Sequence, residues 1–310
     1  MARNHHFVPK CYLRGFIDPS PNPRFPADDQ PRIWQAELKS QRIRLRPTHK
    51  VGCSPGFYAL GSDVEDINEA AERAHGKLES AVAPTLNRLN NDDFKIEAED
   101  WENLLVFGAT LAMRGPSTRV TLNRMRKRGG ELIVNLLANL PLESFMHQLK
   151  QSHPDRVFTI DEARGIQEWA RNPSNFNITP PSAKAVETSL KTAMDTVFPL
   201  FYKMNWTYLH APTSRPFICS DYPVSWVDPT VPRNSKIGHG LEAQHIEVSF
   251  PIGRSLALMG HWDDAPKHLP LTSELVDQLN LRSVERARIE ILGPTRESVE
   301  WGLALWTPRT

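Results

Sequence analysis

Two adjacent histidines sit near the start of this chain, in the stretch "NHHFVPKCYLRGF" at residues 4 to 16, close to a tyrosine and an arginine. Imidazoles titrate near neutral pH and serve as general acid, general base or metal ligand, and a nearby guanidinium steadies an anion. His5, His6 and Arg14 are therefore the first candidates for chemistry. A second set lies in "DVEDINEAAERAHGKLESAVAPTLNRL". There Glu65, Glu72 and Glu79 recur every seven residues, and His75 falls three after Glu72 and four before Glu79. Helical spacing puts Glu72, His75 and Glu79 on one face. A Glu-x-x-His with a further Glu, turned inward, is a pattern that helical bundles use for divalent cations. A solvated charged face has the same spacing.

Arg114 closes an apolar helix face in "LAMRGPSTR", a position where an arginine snorkels or pairs with a carboxylate. "RPFICSDYPV", residues 215 to 224, is an apolar run that gives way to a turn at Ser220 and Asp221. Rigid strand ends of this kind often carry functional groups, which makes Asp221 a candidate metal ligand or general base supported by Ser220. Ser and Asp ahead of a proline are also ordinary turn formers. The densest basic run, "NRMRKRGG" at residues 123 to 130, reads as a solvated helix end.

The elements that must position these groups follow from periodicity. Prolines break residues 17 to 31, "IDPSPNPRFPADDQP", into a loop, and "RIWQAEL" and "RIRLRPT" alternate around "KSQ" as a hairpin. The spacing predicts a helix from Asp63 and another from about Glu97 to Arg114, stopped by Gly115 and Pro116. Shorter helices are expected over 117 to 128, 130 to 150, 160 to 171 and 182 to 203. After Met204, "NWTYLHA", "PFICSD", "HIEVSFPI" and "SLALMGHW" read as strands, and "TSELVDQLNLRSVERARIEIL" as one late helix capped by Thr272 or Ser273. The expected fold class is α+β: an N-terminal hairpin region, a central helical bundle, and a C-terminal mixed or antiparallel sheet with a covering helix. A single large domain over 1–310 is expected, with an arm and hairpin (1–60), a helical region (61–203) and a strand-rich region (204–310).

Composition narrows the function classes. With 37 Lys and Arg against 36 Asp and Glu, the formal charge of +1 gives no global field toward nucleic acid or anionic lipid. Three widely spaced cysteines, Cys11, Cys53 and Cys219, make neither a disulfide framework nor a zinc knuckle by themselves. No apolar run approaches the roughly 18 residues of a membrane span, so a cytoplasmic protein without membrane association is expected. The chain has no Walker loop, no Gly-x-Gly-x-x-Gly, no Gly-x-Ser-x-Gly and no Cys-x-x-Cys, which argues against familiar nucleotide-binding loops and serine hydrolysis.

Taken in order, "HHFVPKCYLRGF", "RIWQAELKS", "SPGFYAL" with the Glu-rich helix, "LVFGATLAMRGP", "NWTYLHAPTSRPFICSDYPV", "SFPIGRSLALM" and "LVDQLNLRSVERARIEILG" resemble a mainly bacterial family known as domain of unknown function 4238. The likeness spans nearly the whole chain. It carries no established activity, but it implies that His5, His6, Glu72, Glu79, Arg114, Ser220 and Asp221 share one site. His75 joins them by helix geometry only.

The resulting expectation is a metal-dependent phosphodiester hydrolase, most simply a nuclease, in the setting of a toxin or defence effector. Glu72, His75, Glu79 and Asp221 would hold a divalent metal, Mg or Mn ahead of Zn. His5 or His6 would move protons, and Arg14 or Arg114 would offset charge on a nucleic acid or nucleotide substrate. The alternative is a non-catalytic binding or sensor module, in which the same residues form a hydrogen-bonded network that recognises a small anionic ligand or a partner protein. A purely structural network, with the histidines stapling the arm to the sheet, is the third option.

Overall fold

The computed structural model describes residues 4–17, 30–55, 65–179, 182–232 and 240–308, and the fold is α+β. In chain order the elements are β1 (Asn4–His6), α1 (Lys10–Leu13), β2 (Arg32–Glu37), β3 (Arg42–Pro47), β4 (Cys53–Pro55), α2 (Glu65–Asn90), α3 (Ala98–Arg114), α4 (Pro116–Ala138), α5 (Leu142–Ser152), α6 (Ile160–Arg171), α7 (Ser182–Thr192), α8 (Phe198–Lys203), β5 (Asn205–His210), β6 (Cys219–Ser220), β7 (Ser225–Val227), β8 (Glu247–Pro251), β9 (Leu256–His261), β10 (His268–Pro270), α9 (Ser273–Arg286), β11 (Glu290–Gly293) and α10 (Arg296–Leu305). Most of the proline-rich loop and the end of "SPGFYAL" lie outside the described residues, as does the side chain of Glu65. Among the described residues no helix is long and apolar enough to cross a membrane.

The chain forms two units, residues 1–119 with 186–310, and residues 120–185. The first holds the three sheets formed by the described residues. A five-stranded sheet runs β10-β5-β9-β8-β7, antiparallel except for β10, which lies parallel to β5. A four-stranded antiparallel sheet runs β3-β2-β11-β6, so the N-terminal hairpin is completed by strands from the far end of the sequence. β1 pairs antiparallel with β4, placing His6 opposite Cys53.

The arm is anchored by its apolar residues. Phe7, Val8, Tyr12, Leu13 and Phe16 are all buried, and Tyr12 stacks on Phe250 of β8 at 5.9 Å between centroids. Burying each such side chain contributes about 2 kcal/mol. α3 begins with Glu99 and Asp100 in its first turn, which suits the helix dipole, and stops at Gly115, whose extended backbone is what a following proline requires. Its final residue, Arg114, is thereby held at a fixed helix end.

The second unit contains the rest of α4, α5, α6 and the start of α7. Thr159 and Glu162 form a reciprocal cap on α6, and Gln167 and Arg171 of that helix donate to the carbonyls of Leu140 and Ala138.

Three expectations are corrected. The expected late helix ends at Arg286, and "EILG" is the strand β11. A backbone kept extended at Ala287 lets these aliphatic residues take a central place in the four-stranded sheet, where tertiary pairing outweighs helical spacing. α4 runs unbroken through Gly129 and Gly130, where a stop was expected. α10 follows β11 with a Thr295–Ser298 cap that the sequence reading did not pick out.

Gly52 is where the arm meets the sheets. Its φ of +62° lies in the left-handed region, and its carbonyl accepts from Phe7 N and Val8 N at 2.8 and 3.0 Å. An added Cβ would stand 2.9 Å from both Cβ and O of Val8. Gly52→Ala is expected to cost about 2 kcal/mol in urea unfolding, whereas Gly76→Ala, on an open stretch of α2, should add about 1 kcal/mol. Equal effects at the two positions would contradict the strained turn.

Candidate functional site

β1 alternates its side chains, so His5 and His6 leave opposite faces of the strand. His5 Nδ1 lies in contact with a carboxylate oxygen of Glu72 on α2. Two turns further along that helix, Glu79 receives Arg114 Nη1 at 2.7 Å, and the other guanidinium branch donates to the His6 carbonyl. Arg114 thus ties α2, α3 and β1 together through a planar fork that a lysine could not reproduce. Its side chain is 8% exposed, which excludes most competing water.

His75 lies buried on the same helix. Burial, with Arg114 adding to it, lowers its pKa to about 3 and keeps the ring neutral at physiological pH. His6 is lowered to about 4 by burial and then by Lys10, Arg114 and His49. A ring N–H of His6 donates to the His49 backbone, and Nε2 has no hydrogen-bond partner among the described residues. The Cys11 thiol is pushed up to about 11 by burial and by Glu79, so it stays protonated.

Asp221 belongs to another junction. Its Oδ1 accepts from the backbone N–H groups of Arg288, Ile289 and Glu290 at 2.9, 3.0 and 3.2 Å, and the side chain is fully buried. Burial raises its pKa while these amides oppose the shift. Ser220 Oγ donates to the Ser283 carbonyl at 3.0 Å and accepts from Tyr222 N. The pair therefore fixes the chain entering β11, and its hydrogen-bonding capacity is spent there.

Glu290, the acid in the run "RIEILG", was not among the sequence candidates. Its carboxylate accepts from Gly52 N at 2.6 Å and from Gln35, and burial raises its pKa to about 7. The arm carrying His5 and His6 is thus held through Gly52 by a buried acid.

Arg14 stands apart from these matched groups. Its side chain is exposed, has no partner among the described residues, and lines a cleft of about 570 Å³ between α1 and α2. Ser80, Pro84, Asn87 and Asn90 line the same cleft. Pro84 lacks an N–H, so the helix leaves the Ser80 carbonyl without its usual donor. Asn91 donates to the Asn87 side-chain oxygen, leaving the Asn87 NH₂ available. A proline inside a strongly helical segment is the signal that could have pointed to this cleft from the sequence.

Of the candidates, His5, His6, Glu72, His75, Glu79 and Arg114 gather around β1 and α2, Arg14 lines the cleft, and Ser220 and Asp221 serve the β6–β11 junction. Among the described residues no three His, Cys, Asp or Glu side chains group as a metal ligand set.

Two shifts set opposite pH limbs for stability. Glu290 titrates above its ordinary 4.5, so its contribution is fully present below that pH and lost as pH rises through about 7. His75 titrates below its ordinary 6.5, so its contribution is present above 6.5 and lost as pH falls toward about 3. Urea unfolding between pH 4 and 8 is expected to show Glu290→Gln flattening the upper limb, worth about 3 kcal/mol, and His75→Gln flattening the lower one. Variants that follow the parent profile would refute these assignments.

Comparison with known proteins gives one match: a family described as "Protein of unknown function (DUF4238)" matches residues 4–297. No curated protein and no solved structure matches.

Proposed function

This chain belongs to the DUF4238 family, and for it we propose a non-catalytic binding or sensor module that recognises a small anionic ligand in the cleft between α1 and α2. The observation that carries this reading is the unpartnered Arg14 guanidinium in a cleft of about 570 Å³. That volume suits a ligand of nucleotide size. Arg14 would take the phosphate or carboxylate, the Asn87 NH₂ a second oxygen, and the Ser80 carbonyl a ligand hydroxyl. Glu79, the residue before Ser80, is matched by Arg114, so a ligand anion meets no unmatched carboxylate in that pair. The cysteines are free thiols, which accords with a reducing cytoplasm.

The second reading, a divalent-metal-dependent phosphodiester hydrolase of nuclease type, draws support from one contact. Glu72 braces His5 as a carboxylate braces a general base. In that reading Mg or Mn would have to compete with His5 for Glu72 and with Arg114 for Glu79, and Asp221 would stay with its backbone amides. Metal analysis of protein purified without chelator separates the two. Stoichiometric Mg or Mn would favour the hydrolase, and a chelator-insensitive protein the binding module.

Calorimetric titration with inorganic phosphate and a nucleoside monophosphate series tests the main reading. Arg14→Ala is expected to weaken binding about 10- to 100-fold, the worth of a charged hydrogen bond, with Arg14→Lys intermediate. Unchanged affinity in Arg14→Ala would overturn it.

A further inference from the structure

We propose that a second pocket, between the five-stranded sheet and α9, binds a free α-amino acid with an aliphatic side chain, its ammonium held by Glu247 and its carboxylate by Arg282. The pocket measures about 290 Å³ and shares no lining residue with the cleft beside Arg14. Strand alternation builds its floor. Across β5 and β9, Thr207 pairs with Met259 and Leu209 with Ala257, and Ser249 of β8 also pairs with Met259, so Thr207, Leu209, Met259 and Glu247 share one side of the sheet. Leu269 of β10 extends that side in register with Leu209. α9 supplies the roof. Leu275, Gln278, Leu279 and Arg282 recur at i, i+3, i+4 and i+7, which makes them one stripe of the helix, and all four line the pocket.

The walls are aliphatic. Leu209 and Leu279 are buried, whereas Leu269 and Leu275 leave 40% and 42% of their surface open, apolar area that a bound side chain would cover. Two polar lining residues are already satisfied within the protein. Thr207 Oγ1 donates to the Pro266 carbonyl at 2.9 Å, and the ring nitrogens of His261 stand 3.1 Å from Thr207 Oγ1 and 2.6 Å from the Asp263 carbonyl.

Open hydrogen-bonding capacity sits instead at the Arg282–Glu247 pair. Arg282 Nη2 donates to Glu247 Oε2, but Nη1 meets only the sulfur of Met259 at 3.9 Å, a weak acceptor. Glu247 Oε1 accepts no hydrogen bond among the described residues. The Arg282 side chain is 14% exposed, so water compensates Nη1 little, and a charged donor left to a thioether is an unmet demand. The pair therefore offers a cationic donor and an anionic acceptor side by side. A plain carboxylate would set like charge against Glu247, and a plain amine would do so against Arg282. A zwitterionic head meets both through charge-assisted hydrogen bonds and adds no net charge. At about 30 Å³ per water, the pocket holds the equivalent of about ten water molecules, which suits leucine rather than a nucleotide.

Calorimetric titration of the full chain with L-leucine tests the proposal, with methyl NMR of the methionines to locate the site. The expected result is one saturable equivalent and a shift of the Met259 methyl signal, identified by its loss in Met259→Leu. Isovalerate, which lacks the ammonium, and leucinamide, which lacks the carboxylate, should each bind at least about tenfold more weakly, as should L-leucine to Arg282→Gln. Leu275→Asn, at a half-open position, should weaken binding about fivefold, and Arg14→Ala should leave it unchanged. Absence of saturable binding would overturn the proposal, as would equal affinity for either analogue or binding that survives Arg282→Gln. If Arg282→Gln fails to fold, the two analogues and Leu275→Asn still decide.

Discussion

A buried carboxylate holding one backbone N–H connects most of what positions the candidate site. Glu290 reaches from β11 to Gly52, and the carbonyl of that same peptide receives Phe7 and Val8 of the arm. Only a residue free to take φ of +62° can present its N–H one way and its carbonyl the other at this point. Asp221 holds the far side by accepting the amides that lead into β11. The register of β1, and with it the aim of His5 and His6, thus depends on two acids that never reach solvent.

Around that frame, charge is disposed in two ways. Inside, charges are paired or suppressed. Arg114 matches Glu79, His5 contacts Glu72, and burial keeps His75, His6 and Cys11 uncharged. An unmatched charge in such a place costs far more than one at the surface, so the groups that look most chemical in the sequence are those the fold binds most firmly. Outside, at the cleft, Arg14 keeps its charge unmatched and accessible. The proposed recognition of an anion rests on the second disposition.

The hairpin of β2 and β3, α2, α3 and the strands β5, β8 and β9 were legible because their periods of two or 3.6 residues are strong and locally punctuated. β11 was not, since its aliphatic run continues the spacing of the preceding helix until Ala287 turns extended. In the site, the shared Glu72 and Glu79 face was readable from helix geometry, while for Arg114 the sequence left snorkelling and carboxylate pairing open and the fold chose the second. Asp221 and Ser220 were not, because a polar pair before a proline looks alike whether it faces a ligand or backbone amides.

The sequence by itself determined which residues are ionisable, which strongly periodic segments become helix or strand, and that the arm carries its own apolar anchors. These are local properties, set by side-chain type and spacing along the chain. Only the tertiary structure decided that β11 and β6 complete the N-terminal hairpin, that Glu247 meets Arg282, and that Asp221 serves amides while Arg14 serves a cleft. Those outcomes depend on pairings across tens to hundreds of residues. The energy of a buried polar group is set by the partner it finds there, which local spacing does not encode.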